Sequence, residues 1–274
     1  MGEVTIGLAL GGGGALGMAH IGALQVLEEH NIPVHMIAGT SMGAVVGLLY
    51  AYGMTLKDIE AEALKLRTFN LYSPSFNFDG LSNGSGLLRW MKKLTHDATF
   101  NDLKIPFRCV AVDLIKGEEK AFKTGDACQA VRASLSVPTM FTPVRIGQHV
   151  YVDGGVLNNI PDNVVKKMGA DVVIAINPIS EYQSYGKVKG MVDPIMYSYF
   201  LLQKKYNDIL PRVADVMVRP SQIGLKQFVF NKKSTLASIL AGRVAMEEAL
   251  PTILEMIKNK ENELKEKKKN KNTK

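Results

Sequence analysis

The chain has 274 residues, of which 46% are hydrophobic and 22% charged, enough to bury the core of one large domain or two small ones and too apolar for global disorder. Its net charge of +7 is unevenly placed: residues 258–274 hold eight lysines and three glutamates, a local +5. The basic balance therefore marks a Lys-rich C-terminal tail after a single domain over 1–257, not a nucleic-acid-binding domain; the tail reads as a solvated, frayed terminus, with a weak hold on anionic membrane as the alternative.

In chain order, residues 3–10 form an apolar strand that ends in GGGG, and residues 18–30 carry Ile21, Leu24 and Leu27 at helical spacing. Asn31 and Pro33 mark a turn before a second apolar strand, VHMIA (34–38). The stretch MIAGTSMGAVVGLLYAYGM (36–54) has the length of a membrane span and no charge. Gly39, Gly43 and Gly47 with Thr40 and Ser41 interrupt it, so it reads as a buried strand, a turn and a buried helix.

Thr55 and Asp58 open an amphipathic helix, LKDIEAEALKL. Residues 68–86, rich in turn formers and aromatics, read as a long surface loop and a candidate lid; a helix around LLRWMKKL follows. FRCVAVDL (107–114) is a strand, KAFK a returning hairpin arm, and DACQAVRASLS (126–136) a helix that stops before Pro138. HVYVDGG (149–155) is a strand running into a turn, Pro161 opens a helix, and DVVIAIN (171–177) is a strongly apolar strand. Residues 182–206 hold six aromatics and read as core more than as membrane contact or lid. A short strand follows at 214–218, then a long helix that Pro251 breaks from a last segment, TILEMIKNKENELKEK. Strands alternating with helices predict an α/β fold with a parallel sheet and helices packed on it.

Two cysteines, Cys109 and Cys128, cannot make a disulfide framework, and no CxxC or Cys/His cluster points to a metal. The first residues contain Glu3 and no Lys or Arg, unlike a secretory leader, and MGEVTI lacks the Ser or Thr of a myristoylation signal. A cytoplasmic protein, at most peripherally bound to membrane, is the expectation.

The chemistry centres on GTSMG (39–43), a GxSxG between an apolar strand and an apolar helix. In such an elbow Ser41 takes a strained turn at a helix N-terminus, and Gly39 and Gly43 remove side chains that would clash. A serine hydroxyl needs a base. Only His96 and His149 follow Ser41, so a triad closed by a C-terminal histidine is impossible. Asp153, at the end of a strand and before Gly154 and Gly155, is placed at the carboxyl edge of the sheet, where it can take the serine proton directly; a plain turn aspartate is its alternative role. His149, on the same strand face as Asp153, is the rival base, as in a Ser–His acyltransferase-like site. GGGALG (12–17) fits the GxGxxG of a dinucleotide cradle, yet the second strand ends in the serine elbow rather than in a ribose-binding acid. The other role for the glycine turn is an oxyanion hole facing that elbow.

GGGALG with Gly17, GTSMG, the block AVRASLSVPTMFTPV (130–144) and YVDGGVLNNIP together resemble the bacterial patatin-like phospholipases over roughly residues 5–177. The resemblance implies a three-layer fold with a central, mostly parallel sheet and helices on both faces. It implies hydrolysis of lipid acyl esters without a cofactor, through a Ser–Asp dyad with Ser41 as nucleophile, Asp153 as base, and the amides of Gly12, Gly13 and Gly14 as oxyanion donors. Leu16 stands where the family often has Arg or Lys, which removes a cation from anion or head-group binding. A weakly active regulatory or lipid-binding protein on the same fold is the competing expectation. If Asp153 is the base, it needs partial desolvation, because a free aspartate titrates near ~3.9.

Overall fold

The computed structural model describes residues 4–68, 80–179 and 188–272. β1 (Ile6–Leu10) leads through a 3-10 turn (Gly14–Met18) to α1 (Ala19–Glu29); β2 (Met36–Thr40) leads directly to α2 (Met42–Tyr52), and α3 (Leu56–Ala63) follows. Next come α4 (Ser85–Thr95), β3 (Phe107–Asp113), β4 (Glu118–Phe122), α5 (Ala127–Ser134), β5 (Val144–Ile146) and β6 (His149–Asp153). The chain then forms α6 (Asp162–Met168), β7 (Val172–Ile176), α7 (Val192–Ile209), β8 (Val216–Val218) and α8 (Lys232–Asn272). Local signals set several boundaries: the Thr55 hydroxyl accepts the Asp58 N–H at 3.1 Å at the start of α3, and Asp126 accepts the Gln129 N–H at 2.8 Å at the start of α5.

The strands form one sheet in the order β5-β6-β3-β2-β1-β7-β8, with β4 on β3. The run β3-β2-β1-β7-β8 is parallel, whereas β4, β5 and β6 pair antiparallel. Alternation along the central strands separates two layers. Leu8, Leu10, Ile37, Ile174 and Ile176 join the large core shared with α1, α2 and α8. Ala9, Ala38, Val110, Val173 and Ala175 present small side chains to Val164 and Val165 of α6. This is the expected three-layer α/β fold.

The pairing of β3 decides where the chemistry can sit. One edge carries β4 along Cys109–Asp113. The other edge carries β2 as far as Val110, opposite Thr40, and then β6 from Ala111, opposite Asp153. β2 runs with β3 and β6 runs against it. The two strands therefore meet end to end at adjacent rungs, and Ser41 and Asp153 stand at the junction. The sequence places Asp153 at the same carboxyl edge as Ser41. It instead approaches from the opposite direction, because β6 is antiparallel.

The charge-free stretch 36–54 is β2 and α2, buried between neighbouring elements. No helix among the described residues is long and apolar enough to cross a membrane. Three other expectations change. Pro251 does not end a helix: α8 runs through it over 41 residues, because Leu250 and Ile253 on either side are buried in the core and outweigh a cost of about 3 kcal/mol. The Lys-rich segment is not a frayed tail but the last turns of α8, with Lys260–Glu263 and Lys265–Glu261 ion pairs along it. Residues 192–209 are not core as a block, for in α7 only Phe200 and Gln203 are buried. Of the expected loop 68–86, residues 69–79 lie outside the described residues, as do Tyr182 and Tyr185.

Candidate active site

Ser41 sits between β2 and α2 with φ 52° and ψ −124°, a backbone region costly for any residue with a Cβ and typical of strain held at functional turns. The turn is tight enough to demand its glycines. A Cβ on Gly39 would lie 2.6 Å from the Ala44 backbone, and one on Gly43 would lie 2.6 Å from the Gly11 carbonyl oxygen, with the Leu10 carbonyl closer still. Gly43→Ala is therefore expected to yield little folded protein, whereas Gly147→Ala, at a turn with open space around it, should cost only its positive φ; melting curves of the two variants check this. The Ser41 N–H is held by the Ser134 hydroxyl at 2.8 Å, and that hydroxyl donates in turn to the Val110 carbonyl. Ser134, in the AVRASLS block of α5, thus positions the elbow.

Asp153 is 1% exposed. Its Oδ1 accepts the Gly155 N–H at 2.7 Å. Its Oδ2 has no hydrogen bond of ordinary geometry among the described residues, although the Ser41 hydroxyl is near enough to favour the ionised form. Burial dominates and pushes the carboxyl up to about 7, against the opposing pulls of the Gly155 N–H and Ser41. A carboxylate that titrates there can act as a base near neutral pH.

His149 is not at this site. It lies at the far end of β6, about 13 Å away at roughly 3.3 Å per residue, with its Nδ1 2.6 Å from Asp113 Oδ2. Burial of Asp113 opposes ionisation, but the Ile115 N–H and His149 outweigh it and hold the carboxyl below its usual range. His96 caps the C-terminus of α4 in a left-handed conformation and does not line the cavity into which Ser41 opens. His149 does not line that cavity either.

The glycine turn after β1 faces the elbow. The N–H groups of Gly11 and Gly12 are already committed, to the carbonyls of Ile176 and Asn159 at 3.0 Å each. Of the three expected donors, Gly12 is thus occupied, and the amides of Gly13 and Gly14 remain uncommitted among the described residues. The Asn159 side chain also donates to the Gly12 carbonyl at 3.2 Å, so Asn159 pins the turn from both sides. His20, fully buried and drawn down to about 4 by desolvation, holds the Gly11 carbonyl through Nε2 at 2.7 Å. Leu16 points into the core at 1% exposure and does not line the cavity. Its carbonyl accepts Gln222 and Ser238.

Gly13, Gly14, Ser41, Met42 and Asp153 open into one cavity of about 550 Å³, counting its mouth. Its walls are mainly apolar, from Leu87, Leu135, Val137, Phe141, Phe228 and Phe230. α7 closes one side with Tyr199, Phe200 and Gln203. The Gln203 amide donates to the Gly155 carbonyl at 3.0 Å and reaches Asn159 Oδ1 at 3.4 Å. It therefore ties α7 to both the aspartate turn and the glycine turn. Arg132, buried with no carboxylate partner among the described residues, donates to Ser136, Asn83 and Thr142 and lies over the Phe141 ring. Desolvation lowers its guanidinium to about 10.

A family model described as patatin-like phospholipase matches residues 8–164. An uncharacterised NTE-family protein of Mycobacterium tuberculosis is 35% identical over 174 residues, 63% of this chain and 48% of that protein. The human patatin-like phospholipase domain-containing protein 6 is 30% identical over 251 residues, 86% of this chain but 18% of that one. The chain thus spans half or less of these relatives. Among solved structures, VipD of Legionella pneumophila superposes with a TM-score of 0.54 at 13% identity, covering 91% of this chain and 67% of that one. The type III effector ExoU superposes with a TM-score of 0.50 at 14% identity, covering 95% and 54%. At those identities the likeness is one of fold.

Proposed function

The chain belongs to the patatin-like phospholipase family, and on that premise we propose that it is a serine lipid acyl hydrolase working through a Ser41–Asp153 dyad. The observation that carries this reading is the meeting of β2 and β6 on β3, which brings a strained serine and a desolvated carboxylate into one apolar cavity. Asp153 takes the hydroxyl proton as Ser41 Oγ attacks the ester carbonyl. The tetrahedral oxyanion is received by the Gly13 and Gly14 amides, aided by the N-terminus of α2. The protonated Asp153 then returns its proton to the departing alcohol, and water repeats the sequence on the acyl-serine. The glycine turn opens into the same cavity as Ser41, which favours an oxyanion over a pyrophosphate as its ligand.

A fluorophosphonate probe tests the nucleophile. The wild-type chain is expected to be labelled and Ser41→Ala to be blank, with a panel of lipid esters reporting the preferred class. An unlabelled wild type that still binds lipid would instead identify a non-catalytic lipid-binding protein on this fold.

A further inference from the structure

α7 has two faces with different surroundings. Tyr199, Phe200 and Gln203 point inward and line the catalytic cavity. On the outer side Met191, Ile195, Leu202 and Ile209 recur at spacings of four and seven, and Met191 and Leu202 are 84% and 71% exposed. A neighbouring part of the cavity wall comes from the segment containing Gln227, Phe228 and Phe230, and there too large apolar side chains are exposed, with Ile223 at 80%. The Phe228 ring packs against Phe200, tilted by 35° with centroids 5.1 Å apart, so the two segments are contiguous. Exposed apolar side chains on two touching segments that both line the cavity mark a contact site.

Charge selects the occupant. Residues 219–233 contain Arg219, Lys226, Lys232 and Lys233 and no carboxylate, and all four cations are exposed. On α7 the Lys204 charge is taken by Asp208 at 2.9 Å. A second copy of this surface would bring like charges together, whereas an anionic lipid surface would satisfy both the apolar row and the cations. We propose that the outer face of α7 and the segment 219–233 form a docking surface for anionic membrane, which sets the cavity mouth against the bilayer. The inference rests on the lipid-hydrolase reading of the site only for what the docked cavity receives; the binding itself does not depend on turnover.

Flotation with phosphatidylcholine vesicles, with and without phosphatidylglycerol, tests it on the full chain carrying Ser41→Ala. Binding is expected with the anionic vesicles and is expected to weaken with added salt. Adding Ile195→Glu with Leu202→Glu, or Lys226→Glu with Lys232→Glu, is expected to weaken it by about tenfold or more. Leu254→Glu, exposed on α8 outside both rim segments, should bind as the parent does. In the Ser41 background, the rim variants should melt normally and hydrolyse a soluble short-chain ester at the wild-type rate. Absence of binding to either vesicle, binding untouched by both rim pairs, or equal loss with Leu254→Glu overturns the proposal. So does a dimer in sedimentation that the Ile195/Leu202 pair splits, which would give the face to a second copy. Lack of soluble-ester turnover in the wild type would instead count against the hydrolase reading and leave the flotation result intact.

Discussion

Asp153→Asn is expected to lower hydrolysis of a short-chain nitrophenyl ester by about 10³-fold or more, and Ser41→Ala by at least as much, with residual turnover left to the oxyanion donors and binding. The asparagine can still accept the Gly155 N–H that Asp153 accepts at 2.7 Å, so the turn is retained and only the base is lost. His149→Gln, at the far end of β6 and paired with Asp113, is expected to keep activity within about twofold. Steady-state rates of the three variants decide the matter. Full activity in Asp153→Asn with loss in His149→Gln would assign the proton to the histidine and reject the dyad.

The same carboxyl makes a second large prediction, in pH and stability. As the base it must be ionised, so activity is expected to rise tenfold per unit below about pH 7 and then level. Stability runs the other way. A carboxyl raised from 3.8 to about 7 in the fold holds its proton more tightly there than in the unfolded chain. Its contribution is complete below about pH 4 and is lost as pH rises through 7, a change of roughly 4 kcal/mol. Asp153→Asn carries no such charge. Urea melts of both proteins at pH 4 and pH 8 are expected to be alike at the lower pH, with the variant the more stable at the higher. Equal stability at pH 8 would mean that Asp153 is not a desolvated anion there. Lost turnover with gained stability in one substitution is the signature of a group kept for chemistry.

Much of this was legible in the residues, because the governing signals are local. The GTSMG elbow, the glycine turn after β1 and the apolar strands at 107–113 and 172–176 each declare themselves within a few positions. What was not legible depends on distant partners. Nothing near Gly12 reveals that its amide is spent on Asn159, and nothing near Asp153 reveals that β6 runs against β3. Ser134 and Gln203 hold the site together from α5 and α7, and their roles follow from tertiary contacts with residues 93 and 48 positions away. The six aromatics of residues 182–206 point to core, but composition does not say which face of α7 meets it. Pro251 looks like a helix breaker in the sequence because local propensity ignores the burial of Leu250 and Ile253.

The end-to-end meeting of β2 and β6 also governs when the proposed site can be complete. The proposed nucleophile and base stand at positions 41 and 153, and β1 is not flanked on its second side until β7, at 172–176, has been added. The Ala15 N–H, beside the proposed oxyanion donors, waits for the Gln227 carbonyl, which it meets at 2.7 Å. Contacts so distant in sequence close late. A nascent chain carrying the complete serine elbow therefore still lacks Asp153 and the Phe228 and Phe230 part of the cavity wall, so under the hydrolase proposal the site is assembled only after residue 230 rather than with the motif that announces it.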